Sequence, residues 1–238
     1  MRRSTLVALV VAMLAAVSCS GGTNINQARP DQVPGGDPNN AALPRLSVSQ
    51  GDVPQGFDVS LYPNGDQIGQ EVTLDLCDAT FPSEQLRIAR RQIAVVDSQQ
   101  RLVFSTEAVG YESEKATAQA FQELKDAQAN CPTGFTPSSV AGGTPLKTLF
   151  NPTPDRGWAP PPAGIDRLVF DMYVVDDQNR AARTAAVYLR RGRILLGLYY
   201  YLLPDEPLPA IDGQTTVEGI TRVFADRLNA LSAKVVAG

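Results

Sequence analysis

The chain contains no histidine. That absence removes every Ser-His-Asp and Cys-His mechanism and every imidazole-ligated metal site. Lysine is scarce: Lys115, Lys125, Lys147 and Lys234 are the whole set, and none lies in a Ser-x-x-Lys spacing that reads as a nucleophile motif. No run of Lys and Arg occurs, and 25 acidic side chains outnumber 21 basic ones, which argues against a nucleic-acid partner. Of the three cysteines, no two form a Cys-x-x-Cys redox pair. Asp176-Asp177-Gln178-Asn179 lacks the ligand spacing of a calcium loop and reads as a turn. Neither a metal nor a cofactor is expected.

Long apolar runs are also missing. The longest, Leu6 to Val17, is too short for a membrane-spanning helix, which needs about 20 residues. It suits the apolar part of a secretory leader, about 7 to 15 residues, and follows the basic start Met1-Arg2-Arg3. Ala16-Val17-Ser18-Cys19 then resembles the lipobox of bacterial lipoproteins, with Ala16 where Leu is commonest. That resemblance implies a leader over residues 1–18 and a Cys19 that is acylated and becomes the new amino terminus. The other reading is an ordinary cleaved leader with Cys19 incidental. Two acyl chains give the stable anchoring that one does not. The expected partner of Cys19 is therefore the membrane, on its extracytoplasmic face. Loss of Arg2 and Arg3 with the leader takes the net charge from −4 to −6.

Residues 19–44 are rich in Gly, Pro, Asn and Asp and read as a tether. A flexible coil of that length spans roughly 28 Å. The remainder, 45–238, is enough for one domain, and the 43% hydrophobic content of the chain suits a globular core.

The predicted fold is α+β. Residues 165–203 read as three antiparallel strands: Leu168 to Val175 alternates with period two, Ala181 to Arg190 follows, and the turn Arg191-Gly192 leads into Arg193 to Leu203. The last strand has Ile194, Leu196, Leu198 and Tyr200 on one face, and Leu195, Gly197, Tyr199 and Tyr201 on the other. Being apolar on both, it should be central and covered on each side. Residues 88–111 form a hairpin around Ser98-Gln99-Gln100. Leu46 and Val48 begin a short extended piece, and Val72 to Cys77 a short strand. Helices are predicted over 113–130, capped by Ser113, and over 215–235, where Thr215 and Glu218 form a capping box. Residues 132–164 read as a long loop.

Once Cys19 is acylated, Cys77 and Cys131 are the only thiols left in an oxidising compartment, so a disulfide is the natural reading. Two inert buried thiols are the alternative. Candidate ligand residues are Arg156 and Trp158 as the lip of a cleft, against the plainer reading of Trp158 as a core plug. Tyr199 and Tyr201 flank a possible groove at Gly197, against the plainer reading of a sheet face under a helix. Arg87, Arg90, Arg91, Arg190, Arg191 and Arg193 either converge on an anion or form a solvated rim.

The helix ending at Cys131, the strand closing at Arg190-Arg191-Gly192 and the apolar strand after it carry a family resemblance over roughly residues 70–235. The layout resembles the extracytoplasmic sensor-type domains of actinobacterial lipoproteins and of mycobacterial receptor serine/threonine kinases. The resemblance implies an antiparallel sheet whose helices form a cleft for an unidentified ligand. The chain departs from that family in having cysteines for one disulfide, not two, and Gln128 where a tryptophan is usual. The expected function is a lipid-anchored, non-enzymatic binding or sensor domain for a small molecule or envelope component. A carrier of lipid or other apolar molecules and a hydrolase working with carboxylates alone are the alternatives. The hydrolase would draw on groups such as Asp75, Asp78, Glu84 and Asp171.

Overall fold

The computed structural model describes residues 38–68, 74, 76–77, 79–133, 136–138, 146–152, 157–175, 181–203 and 207–237. Cys19, Arg156 and the turn expected at 176–179 lie outside them. The elements in chain order are α1 (Pro38–Leu46), β1 (Asp58–Leu61), β2 (Arg87–Val96), β3 (Leu102–Tyr111) and α2 (Glu114–Ala129). Then come β4 (Thr136–Ser138), β5 (Leu146–Pro152), β6 (Asp166–Val175), β7 (Ala181–Arg191), β8 (Ile194–Leu202), α3 (Val217–Asn229) and α4 (Ala233–Ala237).

All eight strands join one antiparallel sheet in the order β1-β2-β3-β8-β7-β6-β5-β4. The fold is α+β, as predicted. β8 is interior, and its alternation feeds two cores. Leu196, Leu198 and Tyr200 pack with Phe104, Phe224 and Leu228 under α1 and α3. Leu195 packs with Val109, Phe170, Tyr188 and Leu124 under α2. A strand apolar on both sides thus finds cover on both.

The tight turn between β7 and β8 rests on Gly192, whose φ is +54°. A side chain there would also strike the Val236 carbonyl, which accepts a hydrogen bond from Arg193 N at 2.9 Å. Only glycine meets both demands.

Ser113 caps α2 by accepting from Ala116 N at 3.1 Å, and Glu114 lies in the first turn, where the helix dipole favours negative charge. After α2 ends, Cys131 forms a disulfide with Cys77. Cys77 has φ +57°, the left-handed region that a non-glycine residue seldom occupies.

Several expectations are corrected. The chain is folded from Pro38, inside the segment expected to be a tether, because Ala42, Leu43 and Leu46 bury in the core. Leu46 ends a helix instead of opening an extended piece. Leu74 and Leu76 are buried but belong to no strand. The expected loop at 132–164 contains β4 and β5, and β5 pairs along β6 from Lys147↔Val175 to Pro152↔Phe170. The carboxyl-terminal helix is broken between α3 and α4, where Arg191 Nη1 donates to the carbonyls of Leu228 and Leu231, each at 2.9 Å. Its amino-terminal cap is Thr216, accepting from Gly219 N at 3.1 Å, not Thr215. Among the described residues, no helix is long and apolar enough to cross a membrane.

Candidate ligand cleft

Pro160, Pro161 and Pro162 build one wall of a cleft, each with φ held near −65° by its ring. The wall is pinned from two sides. Ala159 N donates to Glu218 Oε1 at 3.1 Å, and Ala159 O accepts from Arg167 Nη1 at 2.9 Å. Glu218 lies in the first turn of α3 and Arg167 near the start of β6, so helix and sheet fix the same residue. The Arg167 guanidinium also lies 5.2 Å from the centroid of the Trp158 ring, a cation–π contact. Trp158 itself is half-buried against the core beneath α3.

The opposite side of the cleft is helix α3. Thr221 and Ala225 form the floor, and Arg222 and Asp226 stand exposed at the rim. The floor is held from below, because the Thr221 and Tyr200 hydroxyls are 2.8 Å apart in the core. The cavity measures about 140 Å³, room for about five waters at ~30 Å³ each. A small wall of preset backbone facing charges of both signs is binding geometry for a small polar molecule.

The residues proposed from sequence do not meet in one place. Trp158 borders the helix α3 side of the sheet. Tyr199 packs with the core under α2, on the other side. The suggested groove at Gly197 is corrected too: the Tyr199 ring folds over that glycine, and a Cβ there would lie 2.8 Å from its hydroxyl. Tyr199 also meets Tyr188 edge-on at 6.1 Å. Tyr201 is half-buried on the same face, and burial pushes its phenol up to about 12.

That face holds a buried charge. Glu107 Oε1 accepts from Arg90 Nε at 2.6 Å and Oε2 from the Tyr199 hydroxyl at 3.3 Å. Arg90 reaches Asn64 O at 3.1 Å and Gln92 Oε1 at 2.7 Å with its other nitrogens. The network ties β2, β3, β8 and the loop at Asn64 together. Burial pushes the Glu107 carboxyl up to about 7, against the pull of Arg90 and Tyr199.

The arginines form neither a solvated rim nor an anion cluster. Arg87, Arg90, Arg91 and Arg193 are buried. Arg87 pairs with Glu84 at 3.1 Å, and Arg190 Nε with Asp166 Oδ2 at 2.7 Å. The acids considered for hydrolysis are engaged in the same way. Glu84 belongs to Arg87, and Asp171 to Arg183 at 2.8 Å, while Asp75 and Asp78 lie outside the described residues. Sequence reasoning missed Arg167, Arg222 and Asp226, and saw Glu218 only as a cap. The one legible signal was the pair at i and i+4 on the side of α3 away from its apolar stripe.

No family model and no curated protein matches the chain. Among solved structures it is similar to the crystal structure of the extracellular domain of PknH from Mycobacterium tuberculosis. The identity is 9%, over 73% of this chain and 79% of that one, with a TM-score of 0.43. A likeness of that degree carries no argument about function.

Proposed function

We propose that the chain is an extracytoplasmic binding domain, held at the membrane by an acylated Cys19, that captures a small polar molecule without transforming it. The observation that carries this reading is the cleft between residues 159–162 and α3. Its proline wall is fixed before any ligand arrives, by Glu218 on one side of Ala159 and Arg167 on the other. Binding to a prearranged wall loses little conformational entropy. The carrier reading calls for an enclosed apolar cavity of several hundred Å³. The cleft is smaller and bordered by charges, and among the described residues both sheet faces carry packed side chains.

The test is native mass spectrometry of the full chain extracted in mild detergent, with Ala159→Trp as a variant that fills the cleft from an exposed position. A co-purifying molecule that the wild type retains and the variant loses supports the reading. Equal retention by both refutes it. The same spectra report the mass at Cys19, where an unmodified thiol would rule out the anchor.

A further inference from the structure

We infer that the ligand of this cleft is a small zwitterion of about amino-acid size, its anionic group facing Arg222 and its cationic group facing Asp226. The inference rests on the cleft being the binding site. Four charged side chains border it, and two are committed to its architecture. Arg167 is held by Ala159 O and the Trp158 ring, and Glu218 by Ala159 N. Arg222 and Asp226 are exposed at the rim and have no ion-pair partner among the described residues.

These two stand at i and i+4 of one helix, their Cβ atoms about 5–6 Å apart, where opposite charges ordinarily pair. Here they do not close on each other and instead flank the floor of Thr221 and Ala225. An anion alone would sit beside Asp226, and a cation alone beside Arg222; each would meet a like charge. A ligand carrying both signs satisfies both. The volume of about 140 Å³ lies well under the ~300–1,000 Å³ of sites for drug-sized ligands. The proline wall supplies apolar surface for one short side chain. Free amino acids have this chemistry, and so do zwitterionic lipid headgroups.

The experiment is calorimetric titration of the detergent-solubilised full chain with free proline and leucine, their N-acetyl acids and their amides. Vesicles of a zwitterionic phospholipid form a separate arm. The free amino acids should bind at least about tenfold more tightly than either singly charged analogue, the effect of losing one charged hydrogen-bond partner. Arg222→Glu and Asp226→Lys should each weaken binding by a similar factor, and both lie exposed, where folding tolerates the change. Binding to vesicles alone, with the same sensitivity to both variants, assigns the chemistry to a headgroup. Analogues that bind as well as the zwitterion, or variants without effect, overturn the inference. If no zwitterion binds in either arm but Ala159→Trp still expels a co-purifying molecule, the ligand class is wrong and the cleft remains the site.

Discussion

The two faces of the sheet bury their residues in opposite ways, although the same strands supply both. Under α1 and α3, β8 presents Leu196, Leu198 and Tyr200 to Phe104 and Phe224, and the ion pair of Asp52 with Arg227 stays toward the periphery. One residue along the strand, facing α2, it presents Leu195, Gly197 and Tyr199, and opposite Gly197 stands the buried Glu107. The missing side chain at Gly197 lets the Tyr199 ring fold back and bring its hydroxyl to the carboxylate. An apolar strand therefore tells that both of its faces are covered. It does not tell whether an apolar core or a charged network covers them.

The largest effects should separate the two faces. Glu107→Leu leaves the buried Arg90 guanidinium without the carboxyl oxygen that accepts from its Nε and should cost about 3–5 kcal/mol in urea unfolding. Replacing both partners, Arg90→Met with Glu107→Leu, should restore stability to within about 1 kcal/mol of the wild type or beyond it. Phe224→Ala on the other face should cost about 3–5 kcal/mol through transfer and cavity formation. No second truncation on that face should recover the loss. If the Arg90 and Glu107 double variant is as damaged as Glu107→Leu, the contrast between the faces fails.

Next in size is the staple on the α2 face. Cys77→Ser with Cys131→Ser opens a bridge between residues 54 apart, and should cost roughly 2–4 kcal/mol by loop-closure entropy. The same double change should leave the cleft's ligand affinity unaltered, because α3 and residues 159–162 lie on the opposite face. A loss of binding with stability retained would break the separation of the faces.

How much of this was legible follows the range of the interactions. The β2–β3 hairpin, the β6–β8 meander and α2 lie close to their predicted limits because their patterns are local: alternation, turn residues, and a Ser113 cap. The helix α1 was not legible. Pro38, Asn39, Asn40 and Pro44 have the composition of a linker, and only the burial of Leu43 and Leu46 overrides it. The strand β5 sits in a Pro- and Gly-rich stretch and is defined by its partner β6. Glu218 three residues on favours Thr215 as the cap in sequence, and the backbone decides for Thr216. In the cleft, Trp158 stood out by rarity. The bond that pins the wall joins Ala159 to Glu218, 59 positions away, and no local pattern announces it.

The buried carboxylate should also give this protein an unusual dependence on pH. Burial raises Glu107 from an ordinary value of 4.5 to about 7, so the folded state holds its proton where the unfolded chain has released it. Its contribution to stability is fully present below about pH 4.5 and is lost as pH rises through about 7. Asp97 opposes this: burial pushes it up, yet bonds from Arg101 and Gln99 hold it below the ordinary carboxylate range. Its contribution is present above the unfolded pKa of 3.8 and is lost as pH falls through the lower folded value. Chemical denaturation between pH 5 and 8 isolates the first effect. Glu107→Gln should flatten the fall seen in the wild type over that range, and an unchanged slope would remove Glu107 as its source.

The smallest effect belongs to the peripheral pair on the apolar face. Asp52 is half-buried. Burial pushes its carboxyl up, but the bonds from Arg227 and Ser49 outweigh that and hold it below its ordinary range. Arg227 Nη2 meets Asp52 Oδ1 at 2.6 Å and also reaches Asp212 Oδ2 at 3.2 Å. Asp52→Asn therefore leaves the guanidinium with a second carboxylate, and water screens the site. The expected loss is about 0.5–1 kcal/mol at neutral pH, shrinking in high salt. The Glu107→Leu loss should respond little to salt, because screening ions do not reach a buried pair. Equal salt sensitivity in the two variants would mean that Glu107 is more open to solvent than the packing on its face implies.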